Sequence, residues 1–251
     1  MRRTTRVKLS RWTLSVALFF LVWEIVGRSG IFISVVPASE TIPELLRLLG
    51  EGEILIAARA TMALAATGFL IGAVVGVAIG AWMSSSKRVA AVLDPLVSAA
   101  FSVPFAIFIP IIAIYLGLEF KAKVVLVVLF NVFVIIINTE TGIREVPPGP
   151  KEMARAFAVN RLGMYRKVIL PWASPHIITG LRLGVGRSVQ GAILADLFLR
   201  AQALGLFIVD AQGRFDIPRL LAAVFFVTIL AAGVMAIARL LEWRLLAWKR
   251  A

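Results

Sequence analysis

Of 251 residues, 60% are hydrophobic and only 16% charged, and a mean hydropathy of +0.93 exceeds what a water-facing domain tolerates. The net charge of +13 would suit nucleic acid, but the polar stretches are too short to carry a phosphate-binding face, so lipid is expected and nucleic acid is not. The absence of cysteine excludes a disulfide framework, a thiolate metal site and a cysteine nucleophile.

A helix crossing the hydrocarbon needs about 20 mostly apolar residues, because each contributes about 1.5 Å of rise across about 30 Å. Six segments approach that length, and we expect an all-α membrane protein of about six spans in one domain, 1–251. Residues 1–11 form a basic cytoplasmic start, followed by a first span at 12–27, strongest from Trp12 to Val26. No A-x-A-like site follows it, which points to a retained anchor rather than a cleaved leader. A periplasmic segment at 28–60 leads to a five-span core at 61–243. Thr61 to Met83 is free of charge. Val89 to Leu118 is interrupted by Pro95, Pro104 and Pro110, which implies kinks. Val124 to Asn138 is apolar and brief. Trp172 to Leu199 carries His176, Arg182, Arg187, Gln190 and Asp196. Leu220 to Ala238 is clean, and 244–251 forms the tail.

Lysines and arginines concentrate in cytoplasmic loops, which orients the spans. With the N-terminus inside, the inner side receives Arg2, Arg3, Arg6, Lys8 and Arg11, then Lys87 and Arg88, and then Arg144 to Lys167. Arg244, Lys249 and Arg250 complete it. The outer side receives about half as many, among them Arg28, Arg47, Lys121, Lys123, Arg200 and Arg214. Both termini are therefore expected in the cytoplasm.

Within the second span, Gly68, Gly72, Gly76 and Gly80 recur every four residues. That step lays a smooth ridge along one helix face, where a neighbouring backbone approaches closely. Gly180 and Gly184 repeat the step once. Between spans four and five, a loop at 143–171 enters through PPGP. It then favours one helix over Glu152 to Phe157 and a second over Arg161 to Leu170. His176 is the only histidine and has no carboxylate cluster beside it, so no metal site is expected. Arg182 and Arg187 allow two readings, attraction of an anion or snorkelling and pairing within the bundle. Asp196 reads as a helix-end or interface residue, and Glu24 as interfacial rather than a proton relay.

The loop carries E-M-A at 152–154 and V-I-L-P at 168–171. Elsewhere stand LDPL at 93–96, VPFAIFIPIIAIYLG at 103–117, NTETG at 138–142 and SPHIITGLRLGVGRS at 174–188. This ordered set resembles the permeases of binding-protein-dependent ABC importers, in their nitrate, sulfonate and taurine branch, over most of the chain from Pro37 to Trp248. Glu152, Ala154, Leu170 and Pro171 match the EAA loop of that family. Met153 replaces an alanine, and the family glycine falls on Ala158. Asp196 stands where glutamate is usual.

The resemblance implies a type I importer permease whose EAA loop is a coupling helix seated in a cytoplasmic ATPase. Glu152, Met153, Ala154, Arg155, Phe157 and Ala158 would then offer the docking surface, with Asn160, Leu162 and Gly163 at the turn. It also implies a second copy of the chain, two ATPase subunits and a periplasmic or lipid-anchored substrate-binding protein, in a bacterial inner membrane. ATP and magnesium would be held by the ATPase, since this chain has no G-x-x-x-x-G-K-[ST] and no cofactor of its own is expected. Candidate pathway residues are Ser98, Ser102, Pro104, Ser188 and Gln190. By the same analogy the binding protein would land on segments from Ile33 to Pro43 and from Leu204 to Phe215, with Val36, Pro37, Ser39, Gly205, Phe207, Asp210 and Phe215 at the rim. The solute would be small and anionic, of sulfonate, taurine or nitrate type. A competing reading is a secondary transporter driven by an ion gradient, which would call for inverted repeats and acidic residues near the midplane. An intramembrane enzyme lacks the side chains for chemistry.

Overall fold

The computed structural model describes residues 2–31, 35–199 and 203–249; Ile33, Arg200 and Arg250, which entered the expectations above, lie outside them. Among the described residues the regular structure is entirely helical. Three helices are long and apolar enough to span a bilayer: α3 (Glu53–Ser85), α6 (Phe120–Arg144) and α11 (Ile217–Leu245). A further 29-residue helix, α9 (Leu170–Phe198), has the length but carries the polar groups noted above. The N-terminal helix α1 (Arg2–Arg28) has 27 residues.

The core is a sandwich of α3, α6 and α9, and glycines explain how closely its layers approach. A Cβ added at Gly76 would come within 2.9 Å of Ile135, and one at Gly80 within 2.8 Å of Thr139. At Gly68 and Gly72 it would collide with Val127 and Asn131. Val127, Asn131, Ile135 and Thr139 are themselves four residues apart, so one row of α6 side chains fills the glycine groove of α3. The partner of the ridge is thus a helix of the same chain. Helix α9 approaches α6 as closely: a Cβ at Gly180 would meet Asn138 at 2.6 Å, and one at Gly184 would meet Ile135 at 2.7 Å. Asn131 is fully buried, and its amide donates to the carbonyls of Gly68 (3.2 Å) and Val127 (2.8 Å), which ties the two helices by a polar contact.

The expected long third span is two helices. After α4 (Lys87–Ser102) the chain breaks, and α5 (Ile109–Leu116) leaves at a bend of 86°. The three prolines differ in effect. Pro95 lies inside α4, Pro104 stands in the break, and Pro110 sits in the first turn of α5, where a missing N–H costs nothing. The fourth span also departs from its brief apolar run, because α6 continues through polar residues to Arg144.

Outside the sandwich, α2 (Ala38–Glu51) packs with α10 (Leu204–Gly213), α3 and α11 around Leu45, Leu48, Ile54 and Leu204. Helix α1 lies against this group through Trp23, whose ring is 5.5 Å from that of Phe225. Its indole N–H donates to the Val36 carbonyl at 3.0 Å. Glu24 caps α2: it accepts from the Ser39 N–H (3.0 Å) and hydroxyl (2.8 Å) while pairing with Arg28 at 2.6 Å. A carboxylate at the first turn of a helix complements its dipole.

Candidate functional site

The segment between α6 and α9 builds a compact projection. Helix α7 (Pro148–Ala156) starts on Pro147–Pro148 and carries Glu152, Met153, Ala154 and Arg155. Ala154 is buried, whereas Met153 and Phe157 are 64% and 78% exposed. Helix α7 ends in a closed cap: the Ala158 N–H donates to the Arg155 carbonyl (2.9 Å), and the Val159 N–H reaches back to Ala154 (3.0 Å). This is the Schellman arrangement, which needs a left-handed residue just past the helix, and Ala158 supplies it at φ 51°. The family glycine therefore falls on the one position of the loop that demands left-handed backbone. The reversal lies at 157–159, ahead of the expected turn at Asn160 to Gly163.

Asn160 instead caps the next element, accepting from the Gly163 N–H at 2.7 Å. That element, α8 (Arg161–Met164), runs through a π turn at Tyr165–Ile169 directly into α9. The expected second loop helix and span five are thus one continuous rod. Pro171, in the first turn of α9, marks no break. Leu162 on this rod is 75% exposed, so Met153, Phe157 and Leu162 project from one projection linked rigidly to the sandwich.

At the other end of α9, Asp196 is 1% exposed and accepts from the Thr61 hydroxyl of α3 at 2.6 Å. The same hydroxyl accepts from the Leu204 N–H at 3.2 Å, and the mostly buried Lys123 of α6 places a positive charge nearby. Asp196 is therefore a buried tie among α3, α9 and the start of α10. Gly205 packs directly on the Asp196 and Leu197 backbone and has no space for a Cβ.

Several residues expected at an outer rim already make contacts within the chain. Gly205 is buried, Pro37 is buried, the Val36 carbonyl holds Trp23, and Ser39 holds Glu24. Phe207, Asp210 and Phe215 remain at the surface end of α10. Arg219 stacks on the Phe207 ring at 4.5 Å, Arg214 pairs with Asp210 at 3.1 Å, and Phe215 is 85% exposed. Phe207, Asp210, Arg214 and Arg219 border a cavity of about 750 Å³.

Of the pathway candidates, Ser98, Ser102, Pro104 and Gln190 are exposed. Ser188 is not: it is 1% exposed and its hydroxyl returns to the Gly184 carbonyl at 2.8 Å, as a serine inside a packed helix does. The two arginines of α9 also separate. Arg182 pairs with Glu242 of α11 at 2.7 Å, and Thr179 donates to the same carboxylate at 2.9 Å. Sequence reasoning missed Glu242 because the partners are sixty positions apart in the chain. No group of three potential metal-ligating side chains occurs among the described residues.

Comparison with known proteins gives the class. Residues 53–246 match the family described as binding-protein-dependent transport system inner membrane component. The chain belongs to that family; it is the multi-pass membrane permease of an ATP-driven importer, and the ATPase is a separate subunit. It is 31% identical over 235 residues to a putative aliphatic sulfonates transport permease of Bacillus subtilis, covering 93% of this chain and 85% of that one. It is 29% identical to a nitrate import permease of Synechocystis, over 68% of this chain and 62% of the other. A formylaminopyrimidine transport permease of Halalkalibacterium halodurans matches at 27% over 97% and 99%. Among solved structures, the inward-facing methionine ABC transporter superposes with a TM-score of 0.64 at 19% identity, covering 75% and 94% of the two chains. An amino acid ABC transporter gives 0.65 at 18%, covering 80% and 97%.

Proposed function

We propose that the chain works as a homodimer that admits a small anionic solute by alternating access, with its loop at 148–164 plugged into a cytoplasmic ATPase. The observation that carries this reading is the capped α7 projection, which holds Met153, Phe157 and Leu162 in water. Large apolar groups so exposed on a rigid turn mark a docking surface, and Glu152 and Arg155 give it charge to match a partner. Because α8 and α9 are continuous, a push on the projection reaches the sandwich without a flexible joint. Paired ATP sites call for two ATPases with their ATP and magnesium, and hence two copies of this loop. The spans then number six, with α1, α9 and the bent α4–α5 pair included, and both termini face the cytoplasm of a bacterial inner membrane. The binding protein delivers solute to the outer face near Phe207 and Phe215. Anionic solutes are favoured by the relatives that carry sulfonates and nitrate.

The test is purification of the tagged chain from native membranes alongside a variant with Glu152→Lys and Arg155→Glu. An ATPase at one-to-one stoichiometry with the parent and absent from the variant supports the reading. A chain that purifies alone and still moves solute under an ion gradient replaces it with a secondary transporter.

A further inference from the structure

We infer that Arg187, with Gln190, forms the membrane-embedded contact for the solute's negative charge, in the groove between α9 and α11. This rests on the proposed import of an anion. Four observations place the contact there.

Arg187 lies near the middle of the expected span Trp172 to Leu199, about 23 Å along the helix from one end and about 18 Å from the other. An arginine side chain cannot snorkel that far, and an uncompensated guanidinium in hydrocarbon is costly enough to require water or an anion. The neighbouring span arginine, Arg182, is satisfied by Glu242, and at the ends Arg144 pairs with Glu140 and Arg219 faces Glu53. Arg187 forms no ion pair with any described residue, and it is exposed.

The space beside it suits a small solute. A cavity of about 650 Å³ is lined by Arg187, Gln190, Phe101, Leu183, Ile193 and Met235, among others. The wall is apolar apart from Arg187 and Gln190, which stand three residues apart on one face of α9. A guanidinium with an amide beside it offers the convergent donors that a sulfonate, nitrate or carboxylate oxygen accepts, and nothing in the lining repels an anion. The groove also borders the bend in the chain: Phe101 belongs to the last turn of α4, just before the 86° break at Pro104. A swing of α4 against α9 would widen or close the space around Arg187.

The absence of cysteine makes a direct test possible. Gln190→Cys is introduced into the otherwise parental chain in native membrane vesicles. Its modification by the anionic reagent sulfonatoethyl methanethiosulfonate and by the cationic trimethylammonioethyl analogue is followed on this chain by mass spectrometry. The anionic reagent is expected to react preferentially. Adding Arg187→Gln should lower the anion-to-cation rate ratio by about tenfold, the effect of removing one unit charge a few ångströms from the thiol. Arg187→Lys should retain most of the preference. Methanesulfonate at millimolar concentration should slow modification of the Arg187 form and leave the Arg187→Gln form unaffected. Failure of both reagents to reach the thiol, because lipid or a second copy fills the groove, overturns the inference, as does a ratio unchanged by Arg187→Gln. ATP-dependent uptake, measured separately, reports on the importer reading: loss of ATP dependence with an intact Arg187-dependent ratio removes that reading and leaves the anion contact standing.

Discussion

Ala158 carries backbone strain that a single substitution can relieve. Its φ of 51° places an L-residue in left-handed backbone, which costs roughly 1–2 kcal/mol relative to right-handed helix and which glycine adopts freely. Ala158→Gly should therefore raise the thermal unfolding midpoint of the detergent-solubilised protein, whereas Ala158→Val, branched at Cβ, should lower it and weaken ATPase retention. A lower midpoint for the glycine variant would contradict the cap geometry. Arg182 and Glu242 argue the same way about charge. Removing one partner of a largely buried pair strands the other, so Arg182→Ala should cost more thermal stability than the double change Arg182→Ala with Glu242→Ala. A double variant less stable than the single would show that the two groups act separately.

At the scale of elements, the contact between α3 and α6 decides whether the bundle closes. Gly72→Ala drives a Cβ into the Asn131 amide, and overpacking of this kind costs about 1–3 kcal/mol. Gly233, inside α11, has nothing within 4 Å of an added Cβ, so Gly233→Ala should be neutral or stabilising by up to about 1 kcal/mol through helix propensity. Melting of the two variants side by side checks both; equal midpoints would refute the close packing. Helix α2 adds a pH-dependent contribution. A hydrogen bond from Arg47 holds the Glu44 carboxyl below the usual glutamate range, against a smaller opposing effect of burial. A depressed carboxylate stabilises the folded state above its ordinary value of about 4.3 and loses that effect as pH falls through the lower folded value. The stability gap between the parent and Glu44→Gln should thus be present at neutral pH and vanish under acid. A gap that does not shrink as pH falls below about 4 would argue against it.

For the whole molecule, α1 is the outlying part. Its described contacts include Phe20 and Trp23 against the Phe225 ring of α11, and Trp23, Glu24 and Gly27 against the start of α2, rather than the α3–α6–α9 sandwich. Trp23→Ala should therefore lower the melting point less than Gly72→Ala, and a larger loss would place α1 in the core. Much of this organisation was legible beforehand. The four-residue glycine step announced a close helix contact because any side chain on that face bars approach, and the loop motif announced the projection because its prolines and polar run cannot continue a span. The bend after Ser102 was signalled only as a kink, since proline removes a hydrogen bond without fixing the angle that neighbours impose. At Val36, Pro37, Ser39 and Gly205 short-range sequence gives no sign that a carbonyl or hydroxyl is already engaged or that the backbone is already packed.

Composition, periodicity and loop motifs by themselves determined that the chain lives in lipid, that one glycine face must be covered by a helix, and that a charged projection interrupts the oily run. They act through local rules of rise, face and charge, which neighbouring residues suffice to express. Only the tertiary structure decided that α6 is what fills the glycine face, that Glu242 takes Arg182 while Arg187 is left facing a groove, and that Asp196 is sealed beneath α10. Those outcomes depend on side chains brought together from distant parts of the chain, where packing and desolvation, rather than sequence order, set the partners.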